Sequence, residues 1–382
     1  MAKGPDHPFQ GSRLRTARLF RGLTQAQVAE GVGIRVPYVS QLEAGLRQPT
    51  VNVVSALAAV VGFPREFLHG PPLEEFRSEE CHFRCPKTTP DALRNRVLSY
   101  GSLVNLVMAY LEESLELPAM DVPEIRVRSI EDIEHAAQRC RMQWGLGLDT
   151  PVLNMIRAVE NAGVVVVNLP HETARVDAFS RSAARGTIVL NSDKGGATRW
   201  RFDVGHELGH LVMHGGMETG SEEREGEANR FASAFLMPAD AFLREFPVQR
   251  HWDWEAMLRL KARWRTSLQA MARRALDLGR IDAAQYNRAY KALSAKGWVK
   301  QEPGEPAYET PELMTLSFQT LLEQDGLTAE EVANALFLPS DAFTRLTGID
   351  VTRRDDAAHA AAPLAEVLQL DFTKARPQAR PS

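Results

Sequence analysis

Phe202–His214 reads FDVGHELGHLVMH, and its apolar residues Phe202, Val204, Leu208, Leu211 and Val212 recur at helical spacing. The stretch therefore predicts a largely buried helix. It contains His206-Glu207-Leu208-Gly209-His210, the H-E-x-x-H pattern. Residues i and i+4 share one helix face, so the two imidazoles can converge on one tetrahedral Zn2+. Glu207 stands one position past the first histidine, where its carboxylate can act as general base toward a metal-bound water. The plainer reading of so short a pattern is a chance match in a histidine-bearing core helix.

A catalytic zinc centre needs a third protein ligand and an open fourth position. Downstream, Glu225–Pro238 reads EGEANRFASAFLMP, an apolar-periodic helix stopped at Pro238. Glu225 and Asn229 are again i and i+4, so one face offers a carboxylate ligand and an amide able to orient a histidine from behind. On helix geometry Glu225 ranks first as third ligand and Glu227 second, with Glu222 and Glu223 as further alternatives. His214 ranks third, because it is displaced around the helix from His206 and His210.

Residues from about 150 to 240 resemble the ImmA/IrrE family of metallopeptidases. The resemblance is carried by TIVLN (Thr187–Asn191), RWRFDVGHELGHLVMH (Arg199–His214) and the E-x-x-x-N helix ending in FLMP. The E-x-x-x-N spacing is also similar to the third-ligand helix of thermolysin-like enzymes. The resemblance implies His206, His210 and Glu225 as zinc ligands and Glu207 as catalytic acid/base. It also implies a protein substrate, often a repressor cut to release stress-response or mobile-element genes. In zincins a strand beside the metal helix takes substrate as an added β-strand, which places substrate along Ala178–Ser180 or Ile188–Asn191. His171, His214 and Arg199 are candidates for stabilising the oxyanion.

The second specific stretch is residues 11–70. Leu14, Ala17, Arg18 and Leu23 point to a first helix, and Thr24 caps a second, TQAQVAEGV, with Gln27 completing a capping box. Gly31 and Gly33 are expected to make a tight turn before a third helix, Val36–Glu43, with Gly45 at its C-terminal cap and a fourth helix near Val51–Val61. TQAQVAEGVGIRVPYVSQLEAGLRQPT resembles the Xre/Cro-type repressor family. That resemblance implies a third helix in the DNA major groove. Gln25 and Arg47 are then phosphate contacts, and the base-reading positions fall on Val36, Pro37 and Gln41, with Tyr38 and Ser40 nearby. Only Gln41 has an amide suited to a base edge. Arg35 stands where Ser or Thr usually caps. Such domains bind double-stranded operators as dimers.

Composition sets the remaining bounds. The net charge of −4 gives no chain-wide case for nucleic acid, but residues 1–70 hold eight Lys/Arg against four acids. Three cysteines (Cys81, Cys85, Cys140) are too few for a disulfide framework. MAKGPDHPFQ lacks the apolar core of a signal peptide. The longest apolar run, near Val53–Phe63, is about half of the ~20 residues a bilayer span needs. A cytoplasmic protein without a membrane segment is expected.

Cys81, His82 and Cys85 invite a metal reading, but no second pair follows at ribbon spacing, so Leu73–Pro90 reads as a linker or edge segment. Asp91–Leu117 and Ile130–Trp144 read as helices. Val152–Ala162 is another helix, leading into the strand VVVVN (Val164–Asn168), with further strands at Val176–Ser180 and Thr187–Asn191. Residues 250–300 hold twelve Lys/Arg against four acids and interleaved tryptophans, read here as amphipathic helices with a solvated basic face. Glu302–Pro311 marks a boundary before a small helical unit, whose LTAEEVANALFLPSDAFTRL faintly echoes TQAQVAEGVGIRVPYVSQL. The tail RPQARPS reads as disordered.

The expectation is a mainly α protein with a small β-sheet (α+β). It divides into a helix-turn-helix domain at 1–72, a helical linker region at 73–149, a zincin-like domain with helical extension at 150–300, and a helical region at 301–382. Its function is expected to be that of a DNA-binding regulator carrying a zinc metalloendopeptidase, cleaving itself or a separate repressor. The rivals are a non-catalytic transcription factor that uses the zinc fold for sensing, and an antitoxin-like interaction protein. An intact Glu207 speaks against the first rival.

Overall fold

The structure is a computed structural model that describes residues 7–84, 89–169, 178–183, 185–191, 195–217, 221–247 and 252–351. It is mostly helical with a small sheet. The N-terminal unit comprises α1 (Gly11–Phe20), α2 (Gln25–Val32), α3 (Val36–Glu43) and α4 (Val51–Val61). The expected capping box is present: Thr24 Oγ1 accepts from Gln27 N–H at 3.2 Å and Gln27 Oε1 accepts from Thr24 N–H at 2.8 Å. Gly33 closes α2 in the left-handed region at φ 74. Gly31, expected in the turn, instead lies inside α2. A Cβ there would sit 2.9 Å from a Val60 methyl, so packing of α2 on α4 accounts for the glycine. Arg18 and Glu43 pair across the unit at 2.5 Å, both largely buried.

The sheet is formed by β1 (Cys81–Arg84), β2 (Val165–Leu169), β3 (Ala178–Arg181) and β4 (Thr187–Asn191), in the order β1-β3-β4-β2. β2 runs parallel to β4, whereas β3 is antiparallel to both β4 and β1. Leu73–Pro90 thus includes an edge strand. Val165, Val167, Phe179 and Val189 face one core, shared with α5 (Asp91–Ser114) and the N-terminal unit. Val166, Ala178, Ile188 and Leu190 face a second core, shared with α6 (Ile130–Gln143), α7 (Met155–Asn161), α8 (Ala197–Met213) and α9 (Glu222–Leu236). Burial on both faces explains why VVVVN is uninterruptedly apolar. The topology corrects one expectation. β3 and β4 each have a partner on both sides, so neither Ala178–Ser180 nor Ile188–Asn191 offers a free backbone edge to a substrate strand. Of the expected strand Val176–Ser180, the first two residues lie outside the described ones.

α10 (Ala239–Glu245), α11 (Trp254–Trp264), α12 (Leu268–Asp277) and α13 (Ala283–Ala295) follow, then α14 (Leu313–Asp325), α15 (Ala329–Ala335) and α16 (Ser340–Thr347). The basic stretch is only partly a solvated face, since Lys261 and Arg274 are buried. Arg274 is held by Glu134 at 2.5 Å and by Met237 O at 3.0 Å. The echo near the C-terminus is local and real in shape. Thr328 and Glu331 form a capping box, and Phe337 takes φ 54 in the turn before α16, as Gly33 does before α3. Arg21, at the C-cap of α1, pairs with Asp341 of α16, joining the two units.

The Pro/Gly/Glu-rich segment 302–312 is a strap of helix-capping carboxylates. Helix N-termini present unpaired N–H groups and a partial positive charge, which carboxylates satisfy. Glu302 accepts from Leu268 N–H of α12 at 2.8 Å, Glu305 from Thr198 N–H of α8 at 2.9 Å, and Glu309 from Met155 N–H of α7 at 2.7 Å. Gly196 makes room for this, because a Cβ there would meet Glu305 Oε2 at 2.5 Å. Lys261 neutralises Glu302 and Glu305 at 2.7 and 2.5 Å. In the reverse direction Glu160 of α7 accepts from Glu312 and Leu313 N–H groups at the start of α14. Among the described residues no helix is long and apolar enough to cross a membrane.

Burial, outweighing these hydrogen bonds, pushes the Glu160 carboxyl up to about 8. Its folded-state value lies above its unfolded one, so its stabilising contribution is complete below the ordinary carboxyl range and is lost as pH rises through about 8. Glu160→Gln is expected to flatten the decline in melting temperature across that window. Parallel wild-type and variant curves in calorimetry would contradict it.

Candidate metal centre

α8 and α9 approach closely because small residues face one another along their seam. A Cβ on Gly209 would lie 3.2 Å from Ala228 Cα, and one on Gly205 would lie 3.3 Å from Ala232 Cβ. Gly209, at an unspecified position of H-E-x-x-H, is thus required by packing and not by the metal chemistry. The short interaxial distance carries the first turn of α9 over the histidines of α8.

There His206, His210 and Glu225 converge, with one donor atom from each lying within 4.8 Å of the others. The His206 and His210 Nε2 atoms are 3.1 Å apart, and Glu225 approaches them at 3.2 and 3.3 Å. Both histidines are buried, while Glu225 is about one-third exposed, so the centre meets solvent on the α9 side. Burial pushes the Glu225 carboxyl up, but hydrogen bonds and charge from His206 and His210 outweigh it and hold it well below the usual range. Two imidazoles and one ionised carboxylate match the donor set that Zn2+ takes in open sites.

The hydrogen bonds behind the histidines set their tautomers. His206 Nδ1 lies 3.0 Å from Asn229 Oδ1, an acceptor, so Nδ1 carries the proton and Nε2 presents its lone pair to the centre. His214 Nε2 lies 2.8 Å from Glu227 Oε2, and His210 Nδ1 lies 2.9 Å from His214 Nδ1. His214 therefore donates from Nε2 to Glu227 and accepts at Nδ1 from His210, again freeing His210 Nε2. Burial lowers the His214 pKa against the opposing pull of Glu227, in keeping with a neutral ring in this chain. Glu227 and His214, the lower-ranked ligand candidates, thus form a relay behind His210. Glu222 and Glu223, on the same first turn of α9, are outside the triad.

Glu207 is fully buried, and Ser180 Oγ of β3 donates to its Oε2 at 2.6 Å. Nothing in the local sequence marks Ser180 for this contact, which depends on β3 lying against α8. His82 of β1, singled out in the sequence only with Cys81 and Cys85, lies instead beside the centre without belonging to the triad. Its ring stacks on that of His210, with centroids 4.4 Å apart and planes 8° from parallel. Burial, and then the neighbouring His210 and His214, push the His82 imidazole down to about 3. Of the oxyanion candidates, His214 is engaged in the relay, Arg199 pairs with Asp203 at 3.7 Å, and His171 lies outside the described residues. Cys81 is buried in β1, and Cys85 also lies outside the described residues.

In the N-terminal unit Arg35, Val36, Pro37, Ser40 and Arg47 are exposed, and Gln41 is half-buried. Arg35 caps α3 without a side-chain hydrogen bond. Tyr38 leans onto the core. Gln25 is half-buried and donates its amide to Glu43 at 2.8 Å.

Residues 14–68 match the family described as Helix-turn-helix, and residues 159–276 match the one described as IrrE N-terminal-like domain. The chain thus carries a helix-turn-helix match at its N-terminus and an IrrE-like match around the centre. Two curated relatives, each an uncharacterized HTH-type transcriptional regulator from a strain of Mycobacterium tuberculosis, are 37% identical over 59 residues. That stretch is 15% of this chain and 42% of each relative, so the chain spans less than half the length of the relatives it matches. Crystal structures of Bacillus thuringiensis PlcR in complex with the peptide PapR7 and DNA, and of ComR from Streptococcus suis, are similar at 13% and 12% identity. They cover 88% and 89% of this chain and 93% of each of theirs, with TM-scores of 0.15. At that score the likeness carries no argument.

Gly209→Ala tests the seam. The gain in helix propensity of about 1 kcal/mol is expected to be outweighed by overpacking of about 1–3 kcal/mol. Zinc affinity should fall with it as Glu225 is pushed away. Unchanged affinity and melting temperature would show the seam to be slack. His214→Ala, which unlocks the His210 tautomer, should weaken zinc binding by about 10–100-fold in chelator competition. An unaltered affinity would remove the relay from the account.

Proposed function

We propose that the chain is a DNA-binding transcriptional regulator whose central centre is a zinc-dependent endopeptidase site. The observation that carries this reading is the convergence of His206, His210 and Glu225 beside a buried Glu207, since a purely structural zinc site has no use for that adjacent carboxylate. His206, His210 and Glu225 would hold the ion. Zinc, when bound, supplies Lewis acidity toward a peptide carbonyl and lowers the pKa of water toward about 7. Glu207 takes the proton from the attacking water as the carbon–oxygen bond forms and passes it to the leaving nitrogen as the carbon–nitrogen bond breaks. The Ser180 hydroxyl, donating to Oε2, fixes the carboxylate's orientation. Asn229 and the His214–Glu227 relay keep both ligand imidazoles in the required tautomer.

The substrate in this reading is a protein: either a separate repressor, or this chain itself, cut to release its helix-turn-helix. The N-terminal unit binds an operator as a homodimer inside the cytoplasm. α3 enters the major groove with exposed Val36 and Pro37 and half-buried Gln41, with Arg35 at its N-cap, and Arg47 meets phosphate.

Glu207→Gln should keep zinc content and operator binding while lowering cleavage of candidate repressors by about 100- to 10,000-fold. If wild type and variant cleave nothing and regulate alike, the enzymatic reading fails and the sensing role takes its place. On the DNA side, Arg47→Ala should weaken all sequences alike and reduce the salt slope by about 1, whereas Gln41→Ala should cost about 1–3 kcal/mol at a single base position. Equal losses across bases for both variants would remove Gln41 from readout.

A further inference from the structure

β1 comes from outside the residues that match the IrrE-like domain: it spans Cys81–Arg84, whereas the match begins at residue 159. It pairs antiparallel with β3, filling the one side of β3 that β4 leaves open. His82 stands directly opposite Ser180 in this pairing. Cross-strand partners project to the same face of a sheet, and Ser180 Oγ on that face reaches Glu207. The His82 ring is accordingly delivered onto the ligand histidine: it stacks on His210, lies 5.9 Å from the His214 ring and is only 4% exposed. β1 therefore has the direction and the seat of a peptide added along β3, with one side chain covering the centre.

The seat is held from the side by a latch. Arg181, opposite Cys81 on β3, reaches Glu74 at 2.7 Å and Glu80 at 3.2 Å, and its guanidinium lies 4.4 Å over the Phe76 ring. Glu74 and Glu80 are 56% and 40% exposed, so these ion pairs are open to solvent and individually weak. The seat itself is imperfect, since His82 Nδ1 is buried with no hydrogen-bond partner, a cost that an unseated strand does not bear.

We propose that β1 occupies, from within the chain, the strand position that a protein substrate takes at this centre. This rests on the peptidase reading above and adds one thing to it: the chain blocks its own strand-binding side of β3 until β1 is displaced. A tethered strand competes at an effective concentration on the order of millimolar, enough to suppress a weakly binding segment by tenfold or more.

Arg181→Cys in a Cys85→Ser background tests this in both directions with the full-length chain. Reduced, it lacks the latch; oxidised, it can close a cross-strand disulfide with Cys81, whose register partner it is. The probe is a fluorescently labelled peptide of sequence SEECHFR, residues 78–84, followed by anisotropy. The reduced form is expected to bind it about tenfold or more tighter than wild type, and the oxidised form to bind it no better than wild type. His82→Gly, which removes the ring and keeps the backbone ladder, should shift binding in the same direction as reduction. Equal binding by all forms, with native circular dichroism and unchanged zinc content, would overturn the proposal. Peptide binding that follows the latch in a protein that takes up no zinc would sink the metallopeptidase reading and leave the occupancy of β3 by β1 standing.

Discussion

The close approach of α8 and α9 is the constraint on which the centre depends. Glycines at 205 and 209 meet alanines at 228 and 232, and the resulting contact carries Glu225 to within about hydrogen-bonding distance of two histidines on the other helix. Neither helix carries the donor set alone. A methyl group of extra separation at the seam moves one member of the triad relative to the other two, which is why shape at the seam and chemistry at the centre cannot be varied independently.

Around that contact the molecule spends its buried polar groups on fixing orientation. Asn229 sets one imidazole, and His214 with Glu227 sets the other. Ser180 sets the carboxylate of Glu207, and Glu305 caps the helix that bears all three motif residues. Glu305 comes from the strap at 302–312, so the region after the IrrE-like match contributes directly to holding α8. Buried polar groups satisfied in this way rigidify a site; left unsatisfied they would each cost about 1–3 kcal/mol.

The features legible in the sequence are those decided within a few residues. Thr24 with Gln27, the αL turn at Gly33 and the end of α3 before Gly45 follow from local capping chemistry, and TIVLN is a strand because three of its five residues, Thr187, Ile188 and Val189, are β-branched. The triad was legible too, because each helix keeps its own i, i+4 register and only their meeting had to be inferred. Long-range partnerships were not. CHFR in β1 carries no periodicity that reveals pairing with a strand nearly a hundred residues later, and so the free edge assigned to β3 proved to be filled. The strap was read from its proline and glycine content as a boundary, whereas its glutamates act on helix ends brought near only by the tertiary fold. Gly31 misled for the same reason: its lack of a side chain serves a neighbour, Val60, instead of a turn.

The most direct test of the central claim is a Co2+ titration of the full-length chain, followed by its visible absorption, with Glu225→Ala and Glu227→Ala alongside. Wild type is expected to bind one tetrahedral-type ion per chain, with the spectrum lost in Glu225→Ala and weakened but recognisable in Glu227→Ala. No bound cobalt in wild type, or a spectrum that survives Glu225→Ala and disappears with Glu227→Ala, would contradict it.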